Sequence, residues 1–404
     1  VLSGADWATN RYRRDLWVAA ADGRGEPRRL TWSGSASMGD PSFSPDGRML
    51  AFTTAREGGR AQVWVLPLEG GGEAWPLTDL KTSVANPVWS PRGDRIAFTS
   101  SLSPEELAQG GAAQNGGAKP DSARVDAAAI RGIHRDRAAA LAAIRAKLEQ
   151  TARSGDARHV TRRNYLGETS LAEERWAQLY VAEVKPGAKA VQLTRTAFPS
   201  GAPAWSPDGR SLVYSATRPE EGVHPDWTDD SDVFVLPATG GEPRRIAEPR
   251  FTASNARFSP DGRWIVYQRQ PYDTVFSTAV NFELMVMRPD GSDRRSVTGP
   301  MDRSVTSYAL TDDGWLYFTV QSEGAVPLYR TRLDRIDPRP VVSGPRGVTS
   351  FDVAGGTVAW SQMHPRRPSD VFAARADGSA ERRLTALHDS LLAGVYVGDY
   401  EEIR

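Results

Sequence analysis

The stretch FSPDGRMLAF, residues 43–52, has three close relatives later in the chain, and this repetition decides the fold. The relatives are WSPRGDRIAF, WSPDGRSLVY and FSPDGRWIVY, which begin at Trp89, Trp205 and Phe258. Within the stretch, Pro fixes φ at the first corner of a tight turn, Asp accepts a hydrogen bond from the backbone two residues on, and Gly accepts a positive φ. A short apolar run follows each turn, so each copy predicts a β-hairpin.

A second β-rich run follows every turn and ends near Leu-Thr, as in QVWVLPLEGGGEAWPLT at 62–78. Hairpin and run together make four antiparallel strands in about 40 to 55 residues, the period of a propeller blade. A lone blade leaves an apolar face open, so blades must stack around an axis. We therefore assign a structural role to the turn residues, which are Asp46, Gly47, Gly93, Asp208, Gly209, Asp261 and Gly262, and we place weaker turns at Gly314 and Gly355.

The predicted fold is an all-β propeller of four-stranded antiparallel blades, seven-bladed with an incomplete first blade. Residues 15–31 match only the second half of a blade, so the missing hairpin is expected before Val1 or from the far end of the chain. The predicted organisation within propeller residues 1–385 is a half-blade at 15–31, then blades at about 41–78, 86–194, 202–247, 255–298, 306–342 and 348–385, with a linker at 386–404.

The long interval between Gly93 and Gly209 predicts an insertion of roughly 60 residues in one early blade. We place it at 102–157, where a Gly/Ala-rich loop leads into residues 123–154 with strongly helix-forming composition. Such a helix on a propeller rim is expected to pack against a neighbouring domain or cap the ring. The alternative is a solvated excursion.

Composition excludes several classes of function. The 404-residue chain carries 50 basic and 50 acidic residues, so no net field favours nucleic acid or an anionic membrane. No apolar run is long enough to cross a bilayer. Absence of Cys removes thiolate chemistry and disulfides but fits either compartment. We expect the cytoplasm, with the periplasm as the alternative.

Sequence motifs for catalysis are missing. The chain has no Gly-x-Ser-x-Gly elbow, no His-Glu-x-x-His and no phosphate-binding loop before a helix. Its His residues are scattered over separate blades, namely His134, His159, His224, His364 and His388. We predict no catalytic residue, no metal and no cofactor for this chain alone.

Blades of the form WSPDGRxLAF followed by LWV and GGEPRRLT resemble the non-catalytic propeller of bacterial prolyl oligopeptidase family serine peptidases, in the dipeptidyl aminopeptidase and acylaminoacyl peptidase branch. The resemblance runs from Asp15 to Arg404, and the segment DARHVTRRNY and the tail LTALHDSLLAGVYVGDYEEIR are similar to that branch in particular. It implies a partner, an α/β-hydrolase domain in the same polypeptide or in a processed chain, and it implies short peptide substrates. Self-association is left open.

The resemblance also implies a gate over the active site, with some loops binding the amino end of the peptide. Glu173 and Glu174 are similar to the acidic pair that holds the free amino terminus in dipeptidyl peptidases, although adjacent carboxylates also form ordinary solvated edges. With Arg162, Arg163 and Tyr165 they are the candidate substrate-binding residues.

Two rival functions fit the same blades. A stand-alone propeller like that of the periplasmic Tol-Pal system would bind protein partners through its rim and channel. An eroded peptidase relative would keep the propeller as an interaction scaffold. The helical insertion and the EEIR ending favour the peptidase hypothesis.

Overall fold

A computed structural model describes residues 1–6, 11–32, 37–56, 59–109, 175–217, 230–246, 251–271, 280–364 and 366–398. These residues form a propeller of antiparallel blades, so the predicted fold class is confirmed. None of the helices found in them has the length and apolar character that a membrane span requires.

In the described residues, six sheets have four strands each, and in every one the strands follow chain order across the sheet. We number these sheets blade 1 to blade 6. Blade 1 contains β5 (Met38–Phe43), β6 (Met49–Thr54), β7 (Gln62–Pro67) and β8 (Trp75–Pro76), and blade 2 contains β9 (Val84–Trp89), β10 (Arg95–Leu102), β11 (Trp176–Glu183) and β12 (Val191–Gln192). Blade 3 contains β13 (Ala204–Trp205), β14 (Ser211–Thr217), β15 (Ser231–Pro237) and β16 (Arg244–Ile246), and blade 4 contains β17 (Phe251–Phe258), β18 (Ile265–Pro271), β19 (Glu283–Met287) and β20 (Arg295–Ser296). Blade 5 contains β21 (Val305–Leu310), β22 (Trp315–Val320), β23 (Leu328–Arg332) and β24 (Arg339–Val342), and blade 6 contains β25 (Gly347–Ala354), β26 (Thr357–His364), β27 (Arg367–Arg375) and β28 (Arg382–Arg383).

Two further pairs of strands precede blade 1. A hairpin joins β1 (Leu2–Asp6) to β2 (Arg11–Asp15), and a two-stranded sheet, the half-blade, joins β3 (Trp17–Val18) to β4 (Arg28–Arg29). Blade 6 draws all four strands from consecutive residues, so within the described chain its far end lends no strand to the half-blade.

Helical structure is sparse in the residues described. It consists of α1 (Pro104–Ala108), a 3-10 turn at Gly299–Met301 and α2 (Asp389–Leu392). Ser103 caps α1 by accepting from Glu106 N, and the Glu106 side chain accepts from Ser103 N in return. The helix predicted in the 102–157 insertion lies beyond α1 in residues 110–174, outside the described part of the chain.

The Leu-Thr ending of each second run has a clear structural use. A threonine after the fourth strand accepts a hydrogen bond of 2.9–3.0 Å from a backbone N–H of the third strand in the half-blade and in blades 1, 2, 4 and 6. In blade 1 the Thr78 hydroxyl then donates to Gln62 Oε1 at 2.8 Å, and in blade 6 Thr385 donates to Asp370 in the same way. The repeat thereby satisfies buried backbone groups where the outermost strand is only a few residues long.

Apolar side chains of each second and third strand form the core between blades. The middle residues of β6, β10, β14, β18 and β22 are all fully buried. Tryptophans at the ends of first strands also join blades, since Trp89 Nε1 donates to Ser42 O at 2.9 Å and Trp205 Nε1 donates to Val88 O at 3.0 Å. Stability is therefore spread over nearest-neighbour contacts between blades.

Candidate functional site

The five candidate substrate-binding residues, Arg162, Arg163, Tyr165, Glu173 and Glu174, lie outside the described residues, so they stay a prediction. The described residues on either side locate the two ends of that segment. Arg175 donates to Glu106 in α1 at 2.9 Å and to Ser101 O at 2.7 Å. Both ends of the segment are thus joined where β10 ends and β11 begins, the two middle strands of blade 2.

The turn residues lie in tight turns, and most of these turns share one set of hydrogen bonds. Asp208 Oδ1 accepts from Ser206 Oγ at 2.6 Å and from Arg210 N at 3.0 Å, and Gly209 has φ of 69°. Asp46 with Gly47 and Asp261 with Gly262 repeat this geometry. The hydrogen bond from Ser206 and the backbone N–H of Arg210 hold the pKa of Asp208 below its ordinary value. All of these contacts stay within the turn, and none points to a ligand.

The turn at Gly93 uses a different aspartate. Arg92 stands where the other copies have Asp, and Ser90 Oγ instead donates to Asp94 Oδ1, one residue after the glycine, at 2.7 Å. Gly93 keeps a φ of 71°. A carboxylate on either side of the glycine can therefore accept the hydrogen bond from the serine hydroxyl.

A second set of polar residues recurs where the first strand bulges in five of the six full blades. Asp40, Asn86 and Asn255 have left-handed φ of 46°, 54° and 51° although they are not glycine. Thr306 and Thr349 fall at the corresponding bulges of blades 5 and 6. All five side chains are exposed, and we call them the polar ring; blade 3 has Ala202 at this place.

Each member of the polar ring is tied to the second strand of its own blade. Thr53 Oγ1 donates to Asp40 Oδ2 at 3.1 Å, Asn86 Nδ2 donates to Thr99 Oγ1 at 3.1 Å, and Asn255 Nδ2 lies 3.3 Å from Gln268 Oε1. The hydroxyl pairs in blades 5 and 6 are 2.7 and 2.5 Å apart. These bonds fix the direction of each side chain and leave further donor and acceptor capacity.

First strands are the innermost strands of a propeller, and here β5, β9, β13 and β17 contact one another in succession. The polar ring therefore lies on the strands that are nearest the propeller axis. Its chemistry is amide, hydroxyl and a single carboxylate, which suits polar, uncharged groups such as the peptide backbone. Sequence reasoning missed this ring, although the dipeptides Asp40-Pro41 and Asn86-Pro87, at equal distances before two of the repeated turns, carry a signal for it.

A cavity of about 750 Å³ lies between the outer part of blade 6 and the segment after it. Gln362, His364, Arg367 and Phe372 line one wall, and Leu392 and Val395 line the other. Hydrogen bonds with Asp389 and Asp370 raise the pKa of Arg383 above its ordinary value, so this guanidinium is held between two carboxylates. The tail thus leaves blade 6 in a fixed direction.

In the part of the chain that the structure describes, no group of three or more metal-ligating side chains is found. His364 and His388 are the two histidines within the described ranges; His364 Nδ1 accepts from Arg366 N, and His388 Nδ1 is buried without a hydrogen-bond partner in these ranges.

Comparison with known proteins adds relatives that are peptidases. The chain is 30% identical over 241 residues to an uncharacterized peptidase, YuxL, of Bacillus subtilis, and 21% identical over 389 residues to dipeptidyl-peptidase 5 of Porphyromonas endodontalis. The alignments cover 58% and 95% of this chain but only 30% and 51% of those proteins. No protein-family model matches the chain.

Solved structures agree on the architecture. Pyrococcus horikoshii acylaminoacyl peptidase matches with a TM-score of 0.67 and 16% identity, over 98% of this chain and 51% of that chain. The propeller domain of the Trilobed protease from Pyrococcus furiosus matches with a TM-score of 0.61 and 17% identity, over 96% of this chain and 93% of that one. This chain thus spans about half the length of that acylaminoacyl peptidase and nearly all of the propeller domain of the Trilobed protease.

Proposed function

We propose a function from one premise: this chain is a β-propeller domain of the prolyl oligopeptidase family of peptidases. In our proposal the propeller admits short peptides to the active site of an α/β-hydrolase domain and helps to hold them there. The hydrolase domain is joined in the same polypeptide or in a processed chain. The polar ring carries this proposal, because it places hydrogen-bonding groups along the channel at the height of the first-strand bulges.

Selection by size follows from the covalent continuity of the blades. An extended peptide passes a channel bounded by first strands, whereas a folded protein cannot do so without opening contacts between blades. A peptide that enters is already restricted in orientation, and positioning of this kind can lower a reaction barrier by several kcal/mol, up to about 7 or more in ideal cases. The propeller would then contribute to the rate without supplying a reacting group.

The mostly uncharged side chains of the polar ring favour the passage of peptides over their tight binding. Amide and hydroxyl groups exchange hydrogen bonds with a peptide backbone at a net gain of about 1 kcal/mol each. A ring of like charges would instead hold or repel charged peptides, and only Asp40 is charged among the five ring members. Peptides of varied side-chain composition would therefore be admitted.

Cysteine labelling tests the channel directly, because the chain has no Cys of its own. Asn255→Cys places a single thiol in the ring, and Asp377→Cys places one in an exposed turn of blade 6 as the matched control. We expect a small maleimide to react with both variants. A maleimide carrying a 5-kDa polymer should react with the ring thiol at least about tenfold more slowly than with the control thiol.

Equal rates of polymer labelling at the two sites would contradict a narrow channel and would remove the support for gating. In that case the exposed ring is a docking face, and the stand-alone propeller becomes the better hypothesis. Circular dichroism of both variants establishes that the fold is intact.

A further inference from the structure

The cavity beside blade 6 is separate from the polar ring and has a chemistry of its own. Its volume of about 750 Å³ lies within the range of roughly 300–1,000 Å³ that is usual for small-molecule sites. Strands β26, β27 and β28 of blade 6 form one wall, and α2 with the segment after it forms the other. None of the described residues that line the cavity belongs to the polar ring.

Both carboxylates of the cavity already have donors from the protein itself. Asp370 accepts from Arg383 Nε at 3.0 Å, Thr385 Oγ1 at 2.8 Å and Leu387 N at 3.3 Å. The two carboxylate oxygens of Asp389 accept from the Arg383 guanidinium at 2.6 and 2.8 Å. Because these acceptors are occupied and paired with a cation, neither carboxylate is left to attract a positively charged ligand.

Gln362 offers hydrogen-bond donors to the cavity that it lines. Its Oε1 accepts from Trp360 Nε1 at 3.1 Å and from Arg346 Nη1 at 3.2 Å. Because both bonds go to the amide oxygen, they fix the orientation of the amide. Its two N–H groups have no partner among the described residues. A ligand at this wall must therefore supply acceptor atoms.

The cavity also carries an excess of positive charge. Three arginines, Arg366, Arg367 and Arg383, face the two carboxylates, which leaves one positive charge before His364 is counted. The hydrogen bond from Arg383 and, to a lesser extent, the charge of Arg367 hold the pKa of Asp389 below its ordinary value. Arg367 forms no hydrogen bond or ion pair within the described ranges. Its guanidinium can therefore take a carboxylate in the two-bond geometry that arginine favours.

Apolar side chains cover the rest of the cavity. Phe372 stacks on Trp360 with ring centroids 5.9 Å apart, and it also lines the blade wall. Leu392 and Val395 line the opposite wall, and Val395 is 57% exposed. A ligand with an apolar group would remove this surface from water, which favours binding.

We propose that this cavity binds a small organic carboxylate with an apolar body. Arg367 and the Gln362 amide hold the carboxylate, and the apolar group lies between Phe372 on one wall and Leu392 and Val395 on the other. The excess positive charge disfavours a cation, and an inorganic anion would leave the apolar surface in water. This inference does not depend on the proposed function, because no residue of the polar ring takes part in it.

Such a ligand contacts both walls at once, so it binds only while the tail lies against blade 6. It adds to the link that Arg383 already makes between Asp370 of the blade and Asp389 of α2. By mass action the bound protein opens less often at this place, and amides of the tail exchange more slowly. Slower exchange in residues 389–395 distinguishes this site from binding elsewhere on the surface.

Hippurate, a benzoyl group joined to the amine of glycine, is the probe for this site, and its uncharged amide is the matched control ligand. Calorimetric titration of the 404-residue chain should show saturable binding of hippurate and at least about tenfold weaker binding of the amide, which lacks the charge that pairs with Arg367. Arg367→Gln should weaken hippurate binding by a similar factor. Arg375→Gln is the control variant, since Arg375 is exposed at the other end of β27 and does not line the cavity.

The absence of saturable hippurate binding up to about 10 mM would overturn the proposal. Equal binding of hippurate and its amide would also overturn it, as would equal losses in the two variants, because either result removes the role of the Arg367 charge. Displacement of hippurate by an equal concentration of inorganic phosphate would indicate a plain anion site and would overturn the proposed ligand class. Selective binding of hippurate together with slower exchange in residues 389–395 supports the site.

Discussion

The aspartate of the repeated turn contributes through two hydrogen bonds that close the hairpin. In Asp208→Ala, Ser206 Oγ and Arg210 N lose their common acceptor, whose bonds are 2.6 and 3.0 Å long. We expect the free energy of unfolding to fall by about 1 kcal/mol, since the groups left behind can reach water. Urea denaturation measures this change.

A matched control stands in a weaker turn of the same kind. Asp312 is exposed one residue before the turn aspartate Asp313, and Thr311 Oγ1 donates to Asp313 at 2.5 Å and not to Asp312. Asp312→Ala should leave the free energy of unfolding nearly unchanged. An equal loss in both variants would mean that the Asp208 bonds are irrelevant and that loss of any surface charge is enough.

The same carboxylate makes a pH prediction. The folded-state pKa of Asp208 lies below its unfolded value because Ser206 and the Arg210 N–H bind the charged form. Its stabilising contribution is therefore complete above the ordinary carboxyl pKa of about 4 and is lost as the pH falls through the lower folded-state value. The difference in unfolding free energy between wild type and Asp208→Asn should be largest at neutral pH and should shrink toward pH 3. A difference that is constant with pH would contradict this.

Local turn chemistry explains which residues could be placed from the sequence. Asp46 and Gly47 determine their turn within five residues, so the repeat alone predicts the hairpin. The left-handed Asp40 and Asn86 depend instead on a bulge between two strands, and the Asp-Pro and Asn-Pro dipeptides mark the position without specifying the bulge.

At the scale of elements, the exit from blade 6 depends on one buried carboxylate. Asp370 is 4% exposed and accepts from Arg383 Nε at 3.0 Å, Thr385 Oγ1 at 2.8 Å and Leu387 N at 3.3 Å. Asp370→Ala leaves a partly buried guanidinium and a hydroxyl without this acceptor. We expect a loss of about 3 kcal/mol in unfolding free energy and faster hydrogen exchange after residue 386.

Asp377→Ala is the comparison within the same blade. Asp377 is exposed and accepts from Ser379 within its turn. Its removal should cost much less stability than Asp370→Ala and leave exchange of the tail unaltered, because water can replace the lost hydrogen bonds. If the two variants lose the same stability and the tail exchanges alike, Asp370 does not fix the tail.

The order of the strands could be predicted from the sequence because each blade repeats the same hairpin and second run. The candidate residues around Glu173 lie in residues 110–174, where the chain departs from the repeat, and a repeat argument has no information about such a segment. The cavity beside blade 6 is formed by two stretches whose contact depends on the Arg383 and Asp389 pair, a tertiary feature that neither stretch shows alone.

On the scale of the whole molecule, blades 1 to 6 and the half-blade form a scaffold whose exposed polar groups lie along its axis. The relatives are peptidases about twice to three times as long as the parts they share with this chain. In our proposal the propeller selects and orients peptides, and a hydrolase domain cleaves them.

The most direct test of that division is the size limit of hydrolysis by the native polypeptide that contains this chain. The substrate is one short peptide, given free and then within an exposed loop of a folded protein. We predict cleavage of the free peptide alone, and at least about a tenfold loss of that activity when a bulky maleimide is attached at Asn255→Cys but not at Asp377→Cys. Equal cleavage of both substrates, unaffected by the label in the ring, would contradict the gating account.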